Sequence, residues 1–237
     1  MERWIRFMAP VGPQTSMSLM RVIDKKLSQG TKHIHLMLSS PGGSVFHGLS
    51  IHNFLKGAPI EVTTYNFGTV DSIGIVIFCS GKTRISVPHA RFLIHGVSFN
   101  ITGSHTFDEK GLEENLKLLK IDYQNIAKVI ADTTKQKPDK VIEDMNARTT
   151  LSPNEAEKYG LVHKIQSHLF PAGAELTVIH EDGSAVDVTP SPFQPTLPIA
   201  PAIPDAPVSP VQHFTAPKIQ GFTTSTSCFH GTYFNKA

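Results

Sequence analysis

The sequence predicts an α/β domain built on a largely parallel sheet, and two observations carry that reading. Short apolar strand-like runs alternate with helical patterns in the order β-α-β-α-β-α-β-β. Two of the predicted strands end in turns rich in small residues, S-P-G-G at 40 to 43 and the turn around Ser72, and ligands of parallel sheets bind beyond such carboxyl ends.

The opening run M-E-R-W-I-R-F-M-A-P-V reads as a first strand. Charges interrupt its apolar residues, so it is expected to be neither a signal peptide nor a membrane span. Met17, Leu19, Met20, Val22, Ile23 and Leu27 recur at helical spacing before Gly30, which predicts a helix over 15 to 29. The run I-H-L-M-L-S-S that follows reads as a buried strand. Val45, Leu49, Ile51 and Leu55 then predict a helix over 43 to 56 that starts at the glycine pair, and a strand runs from Ile60 to about Tyr65. Residues 71 to 80 read as helix, followed by strand signals at Arg84 to Val87 and Arg91 to His95.

A helical pattern from Asp108 to Thr134 carries Leu112, Leu116, Leu119, Tyr123, Ile126 and Ile130. It exceeds the usual length of a globular helix and is expected to project from the domain. Pro138 opens a further helix to Ala147. The S-P-N-E run at 152 to 155 has an N-cap serine, a proline at the first helical position and a glutamate at the third, and that helix should end at Gly160 before the strand L-V-H-K-I.

Composition narrows the function classes. The chain has 237 residues, 40% of them apolar, enough for a sizeable core. Its 22 basic and 20 acidic side chains nearly cancel, which gives no electrostatic case for nucleic acid or an anionic membrane. The two cysteines, Cys79 and Cys228, cannot form a disulfide framework, and a reducing cytoplasm is expected. Past residue 170 the composition changes. Pro192, Pro195, Pro198, Pro201, Pro204, Pro207 and Pro210 are spaced by three, the period of polyproline II, which would make a rod on the order of 55 Å long. The expected organisation is a folded domain over 1–170 and an extended or disordered proline-rich tail over 171–237.

The chemistry centres on G-T-V-D-S-I-G at 68 to 74, followed 23 residues beyond Ser72 by His95 in F-L-I-H-G. A hydroxyl is a weak nucleophile until a base takes its proton, so serine catalysis needs a histidine or lysine within hydrogen-bond reach. Glycines in the S-P-G-G turn would let backbone N–H groups approach a ligand, as an oxyanion hole requires. Taken singly, Ser72 reads as a helix N-cap and His95 as a core histidine; the combination favours catalysis. His33, His35, His47, His52, His89 and His105 lack such a context, and no pair of them has the spacing of a metal site. The nucleotide-cradling pattern G-x-x-x-x-G-K-[ST] is absent, so ATP use would fall to a separate protein.

The order S-P-G-G, helix and strand, G-x-x-x-S-x-G, L-I-H, long helix and L-S-P-N-E-A-E-K-Y-G-L-V resembles the ClpP family of serine peptidases. That family lies within the crotonase-like superfamily of repeated β-α-β superhelices, and the resemblance covers about residues 3 to 168. It implies Ser72 as nucleophile, His95 as general base, and an oxyanion hole from the N–H groups of Gly42, Gly43 and Ile73. It also implies no cofactor or metal, self-association into a ring, heptameric or in stacked rings with the long helix as the stacking element, an AAA+ unfoldase partner, and peptide or unfolded protein as substrate.

The third triad member departs from the family pattern. The family's aspartate falls at the position of Arg148, leaving Asp144, Asn146 and Asp71 as substitutes among which the sequence does not choose. The family commonly has a small apolar residue where Asp71 stands, and Asp71 read alone is a helix N-cap or first-turn acid. The departures keep other readings open: a non-catalytic subunit or scaffold, a phage-type capsid maturation protease, and a crotonase-type acyl-CoA enzyme.

Overall fold

A computed structural model describes residues 1–98 and 106–188; the prolines between 192 and 210, Cys228 and His105 lie outside them. The core is a nine-stranded sheet whose main path runs β6-β5-β3-β2-β1-β8-β9. In chain order the elements are β1 (Glu2–Met8), α1 (Pro13–Ser28), β2 (His33–Ser40), α2 (Val45–Gly57), β3 (Glu61–Asp71) and α3 (Ile73–Phe78). They continue with β4 (Thr83–Ser86), β5 (Arg91–Ile94), α4 (Glu109–Thr134), α5 (Pro138–Ala147) and β6 (Thr149–Leu151), then α6 (Pro153–Tyr159), β7 (Lys164–Ile165), β8 (Leu176–Ile179) and β9 (Ala185–Val188). The pairs among β1, β2, β3, β4, β5, β7 and β8 are parallel, and β6 and β9 join antiparallel.

Alternation along the strands builds two apolar layers. Ile5, Phe7, Ile34, Leu36, Leu38 and Val70 point into the larger one, shared with α1, α2, α3 and the second half of α4. Trp4, Met37, Tyr65, Ile85, Leu176 and Val178 form the smaller one on the other face. Full burial of each such side chain contributes roughly 1.5–3 kcal/mol, so both layers are needed to fix the sheet.

Strand β3 runs six residues beyond the predicted end at Tyr65. Its first half pairs with β4 and its last three residues with β5, so the sheet forks there. Asn66, fully buried, holds the fork: its side chain donates to the Arg91 carbonyl at 2.8 Å and accepts from the Gly68 N–H at 3.0 Å. The β2 register slips at the same level, Leu38 facing Asn66 but Ser40 facing Val70. Pattern reading ended the strand early because this irregular stretch breaks the period of two.

Helix predictions agree closely with the structure, with α5 at its expected limits. At α6, Ser152 and Glu155 form the reciprocal capping box, and Gly160 closes the helix at φ 88°. The α3 helix is shorter than predicted, and of L-V-H-K-I only Lys164–Ile165 is strand.

The domain limit expected at residue 170 is too early. Strand β8 pairs with β1 and covers Trp4 and Met37, while β9 turns back on β8, so the sheet continues to Val188. Leu176, Thr177, Val178 and Ile179 are all buried, and so short a run did not stand out beside the proline-rich composition that follows.

One buried cation ties several loops together. Arg84 is 6% exposed and has no acidic partner among the described residues. Its guanidinium donates to the carbonyls of Leu161 (2.8 Å), Gly81 (3.1 Å) and Gly160 (3.1 Å), and meets His163 Nε2 at 2.8 Å. Carbonyls at helix ends carry partial negative charge, so three of them substitute for a carboxylate.

Stability should respond at two places. Arg84→Ala strands those carbonyls and should cost ~3 kcal/mol, lowering Tm by roughly 6–12 °C in a thermal melt; an unchanged Tm would refute the tie. A chain ending at Phe170 should melt well below one ending at Val188, because it uncovers Trp4, Met37 and Tyr65.

Candidate active site

Parallel strands bring their carboxyl ends to one edge of the sheet, and four segments that leave this edge converge. Val11 follows β1, Pro41–Gly43 follow β2, Ser72 follows β3 and His95 follows β5. The Val11 N–H bonds the Gly42 carbonyl and the Ser44 N–H bonds the Val11 carbonyl, both at 2.8 Å, which pins the glycine turn. Ser72 N–H bonds the Leu93 carbonyl at 2.9 Å and so fixes the serine beside the strand that delivers His95.

Ser72 occupies a tight strand-to-helix turn at φ 58°, ψ −129°. A non-glycine residue in this region carries strain of order 1–3 kcal/mol, held by the surrounding structure. Its position is that of an N-cap, yet the Oγ accepts no capping hydrogen bond from α3 and makes no other among the described residues. Ser72 is therefore not an ordinary helix cap.

The glycine turn is pressed against this serine. A Cβ on Gly42 would lie 2.5 Å from Ser72 Cβ and 2.9 Å from the Asp71 carbonyl oxygen, and Gly42 has φ 89°. A Cβ on Gly43 would lie 2.3 Å from the Val11 carbonyl oxygen. Only glycine fits at either position.

The three predicted oxyanion donors separate. Gly42 donates its N–H to Ser40 Oγ at 3.2 Å and is absent from the cavity wall, so it drops out. Gly43 and Ile73 both line the cavity with Ser72 and His95, and their N–H groups carry no hydrogen bond among the described residues. This cavity has a volume of about 270 Å³ and is closed by Val45, Val97 and Ile126.

His95 is held through its other nitrogen. Its Nδ1 lies 2.6 Å from the Gly96 carbonyl oxygen, an acceptor only, so Nδ1 is the donor and the tautomer of the neutral ring is the one with its lone pair on Nε2. Ser72 and His95 line one cavity, and contacts between a nucleophile and its base commonly tighten only when substrate binds.

None of the three expected substitutes for the missing aspartate reaches His95. Asp71, the last residue of β3 and buried, pairs with Arg91 at 3.0 Å on the neighbouring strand. Asp144, also buried, accepts from Lys140 at 2.5 Å, Tyr159 at 2.8 Å and Thr149 at 3.3 Å. Asn146 accepts from Tyr123 at 2.7 Å. Arg148 sits exposed at the end of α5 with φ 54°, its side chain bonded to nothing among the described residues. Sequence distance placed these groups near the site, but Asp71, Asp144 and Asn146 are each committed to partners other than His95. The residue that does touch His95, Gly96, acts through its backbone and leaves no side-chain signal.

A second cavity, of about 590 Å³, adjoins the first at Gly43, Val45, Val97 and Ser98. Phe46, Leu118 and Leu119 line it, with Asp122 at its side. Together the two make a groove that leads to Ser72 and is apolar along its outer part. No helix among the described residues is long and apolar enough to cross a membrane.

The family model for Clp protease matches residues 1–168. The chain is similar to ATP-dependent Clp protease proteolytic subunit 2 of Chlamydia trachomatis serovar D, 32% identical over 139 residues, 58% of this chain and 66% of the relative. Similarity to proteolytic subunit 3 of Rhodococcus jostii is 35% over 138 residues, 57% of this chain and again 66% of the relative. Among solved structures, a point mutant of ClpP1 from Listeria monocytogenes superposes with a TM-score of 0.64 at 24% identity, covering 70% of this chain and 92% of that one, a likeness of fold. The matched model spans most of the chain and coincides with the strands and turns that build the cavity, so the chain belongs to the Clp protease family.

Proposed function

We propose that this chain is a serine endopeptidase that cleaves peptide bonds through an acyl-enzyme on Ser72, with His95 as general base and then general acid. The observation that carries the reading is the uncapped Ser72 hydroxyl in a strained turn, lining one cavity with His95 and two residues whose N–H groups are unbonded among the described residues. In this reading His95 Nε2 takes the Ser72 proton as Oγ attacks the peptide carbonyl. The Gly43 and Ile73 N–H groups receive the developing oxyanion, and the start of α3 adds a favourable dipole. The imidazolium then protonates the leaving amine, and water hydrolyses the ester by the reverse sequence. The apolar groove past Val97 and Leu118 suits extended peptide substrates with apolar side chains.

The Gly96 carbonyl orients the ring but offers only a partial charge to the imidazolium. A dyad of this kind should be slower than a carboxylate-supported triad, where loss of the carboxylate costs roughly 10⁴ in kcat. The alternative, a non-catalytic subunit, draws on the same observation: the position of the family's aspartate is held by Arg148, and no carboxylate among the described residues touches His95.

Assembly is proposed on the first half of α4. Leu112, Leu116, Leu118 and Ile121 are 42–60% exposed there, an apolar surface that a second copy in a ring would cover. An AAA+ unfoldase would supply substrate.

A fluorophosphonate probe should label the wild type at Ser72, with Ser72→Ala unlabelled and His95→Ala slower by orders of magnitude. Asp71→Asn should label within about tenfold of wild type, because that carboxylate supports a strand pair and not the imidazole. Absence of wild-type labelling beside a labelled control peptidase would favour the non-catalytic subunit. In light scattering, the wild type should form a large oligomer that Leu112→Glu with Leu116→Glu reduces to small species; a monomeric wild type would refute the ring.

A further inference from the structure

We propose that Glu2, His33 and His35 form a binding site for a divalent transition-metal ion of the zinc type, at the opposite end of the sheet from Ser72. Strand β2 starts at His33 and reaches the glycine turn after eight residues, so the two sites lie on the order of 20 Å apart along the sheet.

The parallel register between β1 and β2 places Glu2 against His33 and Trp4 against His35, and the two histidines, two positions apart, share one face. His33 Nδ1 lies 3.6 Å from Glu2 Oε1, and His35 Nε2 lies 3.5 Å from Glu2 Oε2. One ligand atom from each of the three residues falls within 4.8 Å of the others. Ligand atoms about 2.0–2.2 Å from a tetrahedral zinc stand about 3.3–3.6 Å from one another, so a small tilt of the stacked imidazoles would close the site.

The groups behind the cluster are those a metal site uses. His33 Nε2 meets Thr63 Oγ1 at 2.8 Å and His35 Nδ1 meets Tyr65 OH at 3.0 Å, so each ring is oriented by a hydroxyl from β3 through the nitrogen that faces away from Glu2. The facing atom, His35 Nε2, is buried and has no hydrogen bond, a need that a metal would satisfy. Trp4 stacks on the His35 ring with centroids 4.4 Å apart and screens one side. The Glu2 side chain is 55% exposed, which leaves a path for entry, and three protein ligands leave one position for water or a further donor.

The test uses the full chain, free of any affinity tag and stripped with a chelator, titrated with Co²⁺ near neutral pH. One equivalent should give visible ligand-field absorption of tetrahedral type that Zn²⁺ displaces. Glu2→Gln, exposed and conservative, and His33→Ala should each weaken binding at least about tenfold, and Tyr65→Phe about tenfold. Ser72→Ala should bind as tightly as wild type. No saturable binding by the wild type, or binding that Glu2→Gln and His33→Ala leave unchanged, would overturn the site and leave Glu2 as a simple partner of protonated histidine.

Discussion

The rest of the site depends on how closely the Pro41–Gly43 turn approaches Ser72. Parallel pairing of β2 with β3 brings the two strand ends side by side, and the register slip opposite Asn66 sets where they meet. At that point there is no room for a single methyl group between Gly42 and the serine. The contact fixes the strained turn, holds Ser72 Oγ off the helix it precedes, and brings Gly43 and Ile73 to the same cavity. A second layer supports it from behind. A Cβ on Gly48 would lie 2.2 Å from Ile73 Cγ1, so α2 packs directly on the first residue of α3.

Acidic residues near the site serve structure. Asp71 is next to the proposed nucleophile in sequence, but successive side chains of a strand point to opposite faces, and Arg91 on β5 holds it there. Asp144 joins α5, β6 and α6 through Lys140, Thr149 and Tyr159; burial and this carboxylate push the Tyr159 hydroxyl pKa well up. With these acids committed, the only group that orients His95 among the described residues is the neighbouring Gly96 carbonyl, at 2.6 Å. Under the proposed mechanism the tautomer is then set by backbone geometry, which a sequence motif does not encode.

Polar burial is handled in the same way elsewhere. Arg84 would be costly in the core without a counter-ion, but carbonyls released where helices end accept its donors, and it thereby ties the loops after α3 and α6 together. Cys79 shows the opposite behaviour. Buried in the core, its thiol is pushed up to about 11 by desolvation, which outweighs the nearby Arg84 and Thr133, and stays protonated.

Features under local chemical control could be read from the chain alone. Helical periodicity placed α1, α2 and α4, Pro138 marked the start of α5, the Ser152 and Glu155 pair announced α6, and the glycine pair and Ser72 marked the two turns that meet at the cavity. The family was legible for the same reason, because its motifs are turns with strict backbone demands. Everything that needs two strands at once waited for the assembled sheet. It carried β3 past Tyr65, added β8 and β9 beyond residue 170, took Gly42 out of the oxyanion set, and drew Asp71, Asp144 and Asn146 to partners other than His95. It also joined His33 and His35 to Glu2, some thirty residues earlier in the chain. Side-chain partnership across a parallel sheet is set by register, and register is a property of the packed layers that no single segment carries.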